Sequence, residues 1–379
     1  LARDSTATLE NYDRVRTPDE RCSLPRTSLF GNVDDASTLR RQAFASGAFR
    51  SMKDDIEIFT LDQREQWTAA HRDVGFPSQS WQYAWALSAA GIAPKLAVVR
   101  SGGARMLLPF FEREWQGTID IATILGAAGA SISGNSSAPL SLWREHAIAQ
   151  GWVAGYIQLS TSVNLAGQPM IDELVEINEW FELDLQPEAT FLYFSENIRR
   201  KIKSGYGKGI GLAEDAAALA EALKLLLPIA MERVSAGSHY FFPDETLQRW
   251  VMDTQSLVLG ASVDGVIEAV ALFVVSGDQA EYHLSAGSDR GRDLAAWLIW
   301  NAIVRLKLKG IRTLHLGGGV RRGDGLHNFK QKFRGTPKAQ QAVRQIYDQS
   351  KYEELCRRAG VPATGDGWFP AYRVTRTPI

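Results

Sequence analysis

An α/β (α+β) chain made of two tandem units is what this sequence predicts, and three observations carry the prediction. Its 379 residues exceed what one ordinary core organises, so two domains are the default. With 45% hydrophobic and 22% charged residues it has the make-up of a soluble globular protein. An order of strand, two helices, two strands, helix and strand in the first half recurs in the second.

Residues 1–55 are polar, rich in Arg, Asp, Ser and Thr, and poor in periodicity. They read as an N-terminal extension with a short helix near Ala36–Gly47. The first folded unit spans 56–190. IEIFT alternates as a strand does, and DQREQWTAAHRD reads as a helix. Ser80 is placed to cap the helix WQYAWALSAAG, with Gly91 at its far end. KLAVVR and ARMLLPFFERE form a hairpin about Gly102-Gly103. The small-residue stretch ATILGAAGASISGNSSAP reads as a loop, EHAIAQG as a helix, and YIQLS and FELDLQ as strands.

The second unit, 191–346, opens with SENIRRKIKSG, where Ser195 caps a helix carrying Arg199, Arg200, Lys201 and Lys203. Basic residues suit a helix C-terminus, but four in five positions exceed that need and point to an anion-facing role. AEDAAALAEALKLLLPIAMERVSAG supplies helices, and SHYFF and SLVLGASVDG read as strands. VIEAVALFVVSGDQAEYHLSAG is a hairpin turning at Gly277-Asp278, followed by the helix DLAAWLIWNAIVRLKLKG and the strand TLHLGG. The segment Tyr347–Ile379 comes after the second unit has its strands, and is expected to return and complete the first.

The stretch with the most chemistry is LHLGGGVRRGDGLHNFKQKFRG, Leu314 to Gly335. Gly317, Gly318 and Gly319 follow a strand and leave backbone open to a ligand. Beyond the loop, Phe329 and Phe333 are four apart and share a helical face, with Lys330 and Lys332 beside them. A cation beside a glycine floor suits a phosphate, a carboxylate or a developing oxyanion.

Charge is unevenly spread. The net charge is -1, yet residues 1–190 hold 16 Lys+Arg against 24 Asp+Glu, and residues 191–379 hold 26 against 19. A basic second half is expected to meet an anionic partner. Cys22 and Cys356 lie far apart in polar surroundings, with no metal-ligand spacing and no disulfide framework, which points to a reducing, cytoplasmic home. The six histidines form no HExxH or His/Cys cluster, so no metal is expected. No run of 18 apolar residues is present, and no membrane span is expected.

The second unit's strand, strand, strand, helix, strand order resembles that of a GNAT-type acyltransferase domain. In that fold a loop reading Gln/Arg-x-x-Gly-x-Gly/Ala cradles the coenzyme A pyrophosphate on backbone N–H groups. Its counterpart is Arg290-Gly291-Arg292-Asp293-Leu294-Ala295. Arg290 and Ala295 fit, while Asp293 replaces a glycine and would repel a pyrophosphate.

The chain is also similar to the Fem-type aminoacyltransferases and the wider FemAB-like and CelD/BioF2-like group, which carry two tandem GNAT-like domains. The similarity covers roughly 56–350. It rests on SENIRRKIKSG, MERVSAGSHYFF, EYHLSAGS with AAWLIWNAIVRLKLKG, PSQSWQYAWALSAAG, LLPFFERE and, most specifically, LHLGGGVRRGDGLHNFKQKFRG.

The resemblance implies transfer of an acyl group onto a primary amine, without a metal, cofactor or covalent intermediate. Bridge-forming members take the amino acid from aminoacyl-tRNA. There a Phe-Lys pair lines the reaction channel; Phe329-Lys330 stand in that motif, so Lys330 is expected to offset charge on the acyl group and Phe329 to shape its pocket. Arg199, Arg200, Lys203, Arg233, Tyr240, Tyr282, His283, Gly317, Gly318, Gly319 and Lys332 are the expected substrate-binding residues. Glu281, Tyr282 and His283 are candidates for a general base.

The expected donor is aminoacyl-tRNA, with Arg321 and Arg322 joining the basic helix around one cleft. The expected acceptor is a primary amine of a peptidoglycan precursor or a specialised metabolite. A coenzyme A-dependent N-acyltransferase of polysaccharide or natural-product assembly is the alternative, and a non-catalytic anion- or RNA-binding protein is a third reading.

Overall fold

A computed structural model describes residues 54–374, apart from 73–74, 125, 127–128, 135, 166, 170–171, 189, 235, 238–239 and 365–366. The N-terminal extension and its helix near Ala36–Gly47 lie outside the described residues, as does Cys22.

β1 (Asp55–Phe59) leads through α1 (Arg64–His71) and α2 (Trp81–Ser88) to the meander β2 (Lys95–Ser101), β3 (Ala104–Trp115) and β4 (Thr118–Thr123). The tight hairpins have a common cause. Gly102-Gly103 and Gln116-Gly117 take positive φ at both positions, as do Asp264-Gly265 in the second half. That is the backbone of a two-residue turn whose twist matches that of its strands. Ser80 caps α2, accepting a hydrogen bond from the Tyr83 N–H.

The small-residue stretch expected as a loop holds the end of β4 and a short strand, β5 (Ser131–Ser133), on the edge of β3. Serine and alanine carry little strand propensity, so only pairing with β3 reveals it. α3 (Ala138–Ala149), β6 (Ala154–Gln158) and β7 (Glu173–Asp184) complete the first half, the last twice as long as expected.

The second half repeats the order. α4 (Thr190–Tyr193), α5 (Glu196–Gly207), β8 (Gly211–Ala213), α6 (Ala216–Arg233) and α7 (Asp244–Met252) precede the meander β9 (Leu257–Val263), β10 (Val266–Ser276), β11 (Gln279–Gly287). Then come α8 (Ala295–Leu308), β12 (Thr313–Gly317), α9 (Gly325–Gln331), β13 (Thr336–Ile346) and α10 (Gln349–Ala359). SHYFF is not a strand. Among its described residues, Tyr240 sits in a turn that leads toward α7, Phe241 is exposed and Phe242 packs against the core, none of them pairing with a strand.

The strands form one continuous sheet in the order β1-β2-β3-β4-β6-β13-β7-β12-β11-β10-β9-β8. In each half a meander is followed by a helix and a strand parallel to the last one: β6 beside β4, β12 beside β11. The next strand then crosses over. β7 follows β6 but pairs with β12, and β13 follows β12 but pairs with β6. β7 and β13 pair with each other from Thr336↔Glu182 to Arg344↔Glu173. The halves expected at 56–190 and 191–346 are therefore interleaved, with β13 lying between strands of the first.

The largest apolar cluster also spans both halves, joining Trp67, Tyr83, Leu87 and Leu96 to Leu219, Leu223, Trp250 and Leu272. Each such side chain contributes about 1.5–3 kcal/mol on burial. The segment after β13 packs on the first half. Tyr352, Leu355 and Tyr372 cluster with Val153 and Ala154. Asp120 there accepts hydrogen bonds from Tyr372 Oη (2.8 Å), Arg113 Nε (2.6 Å) and Arg373 Nε (2.5 Å). Cys356, expected in polar surroundings, is buried in this cluster; helical spacing from Tyr352 turns it inward.

Candidate functional site

The parallel pairing of β11 with β12 stops at Glu281↔His315, while β11 runs on to Gly287. The strands thus splay into a wedge. Two bulges shape it. Leu272 faces Leu284 and Phe273 faces Tyr282, leaving His283 as an extra residue in β11. Pairing of β12 with β7 skips in the same way at Leu316.

The glycines sit at the mouth of the wedge. Gly317 has φ +69°, and a Cβ there would lie 3.2 Å from Lys330 Nζ. A Cβ on Gly318 would meet the Glu179 carbonyl at 2.4 Å, and one on Gly319 would meet Asp324 Oδ1 at 2.1 Å. The loop is fixed from behind by β7: Asn178 Nδ2 donates to the Gly319 carbonyl (2.8 Å). Asp324 accepts from the N–H groups of Arg321 (2.9 Å) and His327 (2.7 Å), capping α9. Glu179 pairs with His327 Nε2 (3.1 Å) and Arg322 (2.9 Å).

On α9, Phe329 meets Phe333 edge to face, and Phe333 does the same with Phe194. Lys330 points inward and is only 7% exposed. Its Nζ lies 5.6 Å from the Tyr282 ring centroid. No carboxylate comes within 4.0 Å of it among the described residues. Burial pulls its pKa down to about 7, Asp324 acting weakly in the opposite direction. A buried ammonium with no counter-ion is costly to maintain, and is the arrangement expected where charge develops during a reaction.

Gly317→Ala tests this floor. The strained φ costs roughly 1–2 kcal/mol. The added methyl also crowds the ammonium, so turnover should fall by about tenfold or more. Equal activity per folded molecule would mean that the floor has no part in the site.

Lys330, Tyr282 and the Gly317–Gly319 floor are thus brought together, while Phe329 turns to Phe333. Lys332 is not; its side chain is exposed, and its carbonyl accepts from the Ser195 N–H (2.9 Å), fastening the basic helix to the Lys330 segment. On that helix Arg200 and Lys203 are exposed, Arg199 reaches the Leu192 carbonyl (3.4 Å), and Lys201 pairs with Asp293 (3.2 Å). Its inner face is Ile198, Ile202 and Gly205, the last flush against Trp297. Arg233 braces the end of β11, donating to the Gly287 carbonyl (2.7 Å). Arg322 is held by Glu176 and Glu179, which reduces its availability to a phosphate.

His283 is ill-suited as a base. Its ring is packed against Tyr83 and Trp250, its Nε2 is buried without a partner, and burial lowers its pKa to about 3. Glu281 is also occupied, accepting from the Ser78 N–H and Oγ (3.1 Å each) and so tying the halves together. The contributions of Asn178, Glu179 and Asp324 escape sequence reading. A full-length β7, legible in the alternation of ELVEINEWFELD, was the signal for the first two.

The Arg290–Ala295 loop is closed on itself. The N–H groups of Arg290, Gly291 and Arg292 bond to Ser288, and that of Leu294 to the Gly291 carbonyl. The Arg290 guanidinium is held by Asp264 (2.6 Å) and Glu268 (3.3 Å).

No family model matches the sequence, and no curated protein matches it. Solved structures do resemble it. FemX aligns with a TM-score of 0.57 at 12% identity, over 79% of this chain and 99% of that one. A conserved protein of unknown function from Bacteroides thetaiotaomicron aligns with a TM-score of 0.52 at 11% identity, over 77% and 99%. The likeness is one of fold: over most of its length the chain has the fold of FemX.

Proposed function

We propose that this chain is an acyltransferase that moves an aminoacyl group onto a primary amine by direct displacement. The observation that carries the reading is Lys330: a buried ammonium at the mouth of the β11–β12 wedge, with no carboxylate within 4.0 Å among the described residues. The amine nitrogen attacks the donor carbonyl, the carbon–nitrogen bond forms, and the carbon–oxygen bond to the leaving group breaks. Lys330 offsets the oxyanion of the tetrahedral intermediate. With its pKa near 7 it also gives a proton to the departing oxygen and takes one back from the attacking nitrogen. Phe329 bounds the acyl pocket.

We infer that the donor is an aminoacyl-tRNA and not acyl-coenzyme A. A pyrophosphate needs outward-pointing N–H groups, and those of Arg290, Gly291, Arg292 and Leu294 are engaged within the loop. Exposed Arg200 and Lys203 lie on the helix whose Ser195 is fastened to the Lys330 segment, and suit a polyanion.

The test supplies the protein with a panel of amines and either charged tRNA or acyl-coenzyme A, with ribonuclease added to half the reactions. Transfer from tRNA should be abolished by ribonuclease and weakened steeply by salt. Transfer that survives ribonuclease and requires the thioester would overturn the donor assignment. Failure with every donor would overturn the catalytic reading.

A further inference from the structure

A cavity of about 400 Å³ lies between the halves, bounded by Phe76, Ser131, Ser133, Glu182, Gln279 and His315 among others. Its floor is the sheet itself: Glu281, His315, Glu182 and Thr336 are register partners across β11, β12, β7 and β13. His315 and Gly317 are two residues apart on β12, so the cavity begins about 7 Å from the glycine beside Lys330.

The lining sets one carboxylate among hydroxyls and an amide that hydrogen-bond in both directions, since the Gln279 side-chain NH2 and the Thr313 and Ser162 hydroxyls belong to it as well. Ser133 Oγ donates to the Arg105 carbonyl (3.2 Å), which leaves its lone pairs for the cavity. Ser131 Oγ donates to Gln79 Oε1 (3.3 Å), with the same result. The Gln79 amide is oriented from both ends: Oε1 accepts from the Phe76 N–H (3.0 Å), and Nε2 donates to the Gly129 carbonyl (2.7 Å). Glu182 adds a carboxylate 3.5 Å from His315 Nδ1. His315 Nε2 lies 3.0 Å from Gln279 Oε1. Lys338, on β13, bears on His315 electrostatically but does not line the cavity.

A carboxylate among such groups complements a ligand that is positive in charge and both donates and accepts hydrogen bonds. A phosphate or carboxylate would face the like charge of Glu182. Phe76 supplies one apolar wall, suited to the carbon face of a ring. The geometry points to this cavity as the seat of the acceptor, a compact polyhydroxylated primary amine that docks as its ammonium on Glu182 and gives that carboxylate a proton, freeing the nitrogen lone pair for attack. This rests on the reading of the chain as a transferase to amines, and names the class of amine.

The full chain is titrated calorimetrically, without donor, with a panel of hydroxylated primary amines: glucosamine, galactosamine, 2-deoxystreptamine and serinol. Glucose and glucosamine 6-phosphate serve as neutral and anionic counterparts. At least one amine should bind. Glucose and the phosphate should bind about tenfold more weakly or not at all, and Glu182→Gln should raise the amine's Kd about tenfold or more. Ser133→Ala should weaken binding without unfolding the protein. Tighter binding of the phosphate, amine binding indifferent to Glu182→Gln, or failure of every amine to bind would overturn the inference. Amine binding without transfer from any donor would leave the cavity assignment standing and sink the transferase reading; transfer to amines that ignores Glu182 would do the reverse.

Discussion

Replacing Lys330 with methionine is expected to lower turnover about a hundred- to thousand-fold, the usual cost of losing one oxyanion contact. The same change should stabilise the protein. The Lys330 pKa falls from its ordinary 10.5 to about 7 in the folded chain. Between those values the unfolded chain holds the proton and the folded chain does not, so wild-type stability rises with pH across that window. Below about pH 7 the penalty is fully present, because both states are charged and only one is buried.

Methionine keeps the length and removes the charge. After allowance for relaxation and water penetration, we expect a gain of roughly 1–3 kcal/mol near pH 6, shrinking as the pH approaches 10. Denaturant unfolding at the two pH values measures it. A variant less stable than wild type at the lower pH, or a gap that does not shrink, would show that Lys330 is not an unpaired buried ammonium. Lys332→Met, at an exposed position, should leave stability within about 0.5 kcal/mol and turnover nearly intact. Loss of affinity alone in both variants would make Lys330 a binding residue.

Asp120→Ala is the largest expected loss of stability. The carboxylate is fully buried and holds Arg113, Arg373 and the Tyr372 hydroxyl at once. Removing it leaves two guanidinium groups without their counter-ion, and one of them, Arg113, already has its pKa lowered by burial. Breaking a buried pair from one side costs about 3–5 kcal/mol. Since both Tyr372 and Arg373 belong to the C-terminal segment, the loss should also free that segment. Limited proteolysis should cut beyond β13 in the variant and not in wild type. Unchanged stability with an intact C-terminus would show that the apolar cluster around Tyr352 holds the segment unaided.

Periodicity and turn chemistry made much of the chain legible. Ser80 and Ser195 cap the helices that their positions announce. The Gly102-Gly103 and Gly277-Asp278 turns fall where the runs of apolar residues break. The Phe329–Phe333 spacing puts both rings on one side of the α9 segment, and Lys330 stands where the glycine floor ends. These are local matters, decided within a few residues by φ preference, capping and the period of the apolar pattern.

What local pattern does not carry is which distant strand a strand will meet. The swap of β7 and β13 between halves, the pinning of Glu281 by Ser78 and the bracing of the glycine loop by Asn178 and Glu179 join residues more than a hundred positions apart. So does the burial that strips Lys330 of solvent and lowers its pKa. The sequence alone determined many of the helices, the hairpins and the one lysine worth testing, while β4, β5, β8 and β13 are strands that pairing with their neighbours reveals. Tertiary structure decided that no carboxylate among the described residues comes within 4.0 Å of this lysine, that Arg290 and its loop are closed, and that the cavity between the halves sets a carboxylate among hydroxyls and an amide. Solvation and hydrogen-bond partners belong to the folded surroundings of a group, not to its neighbours along the chain.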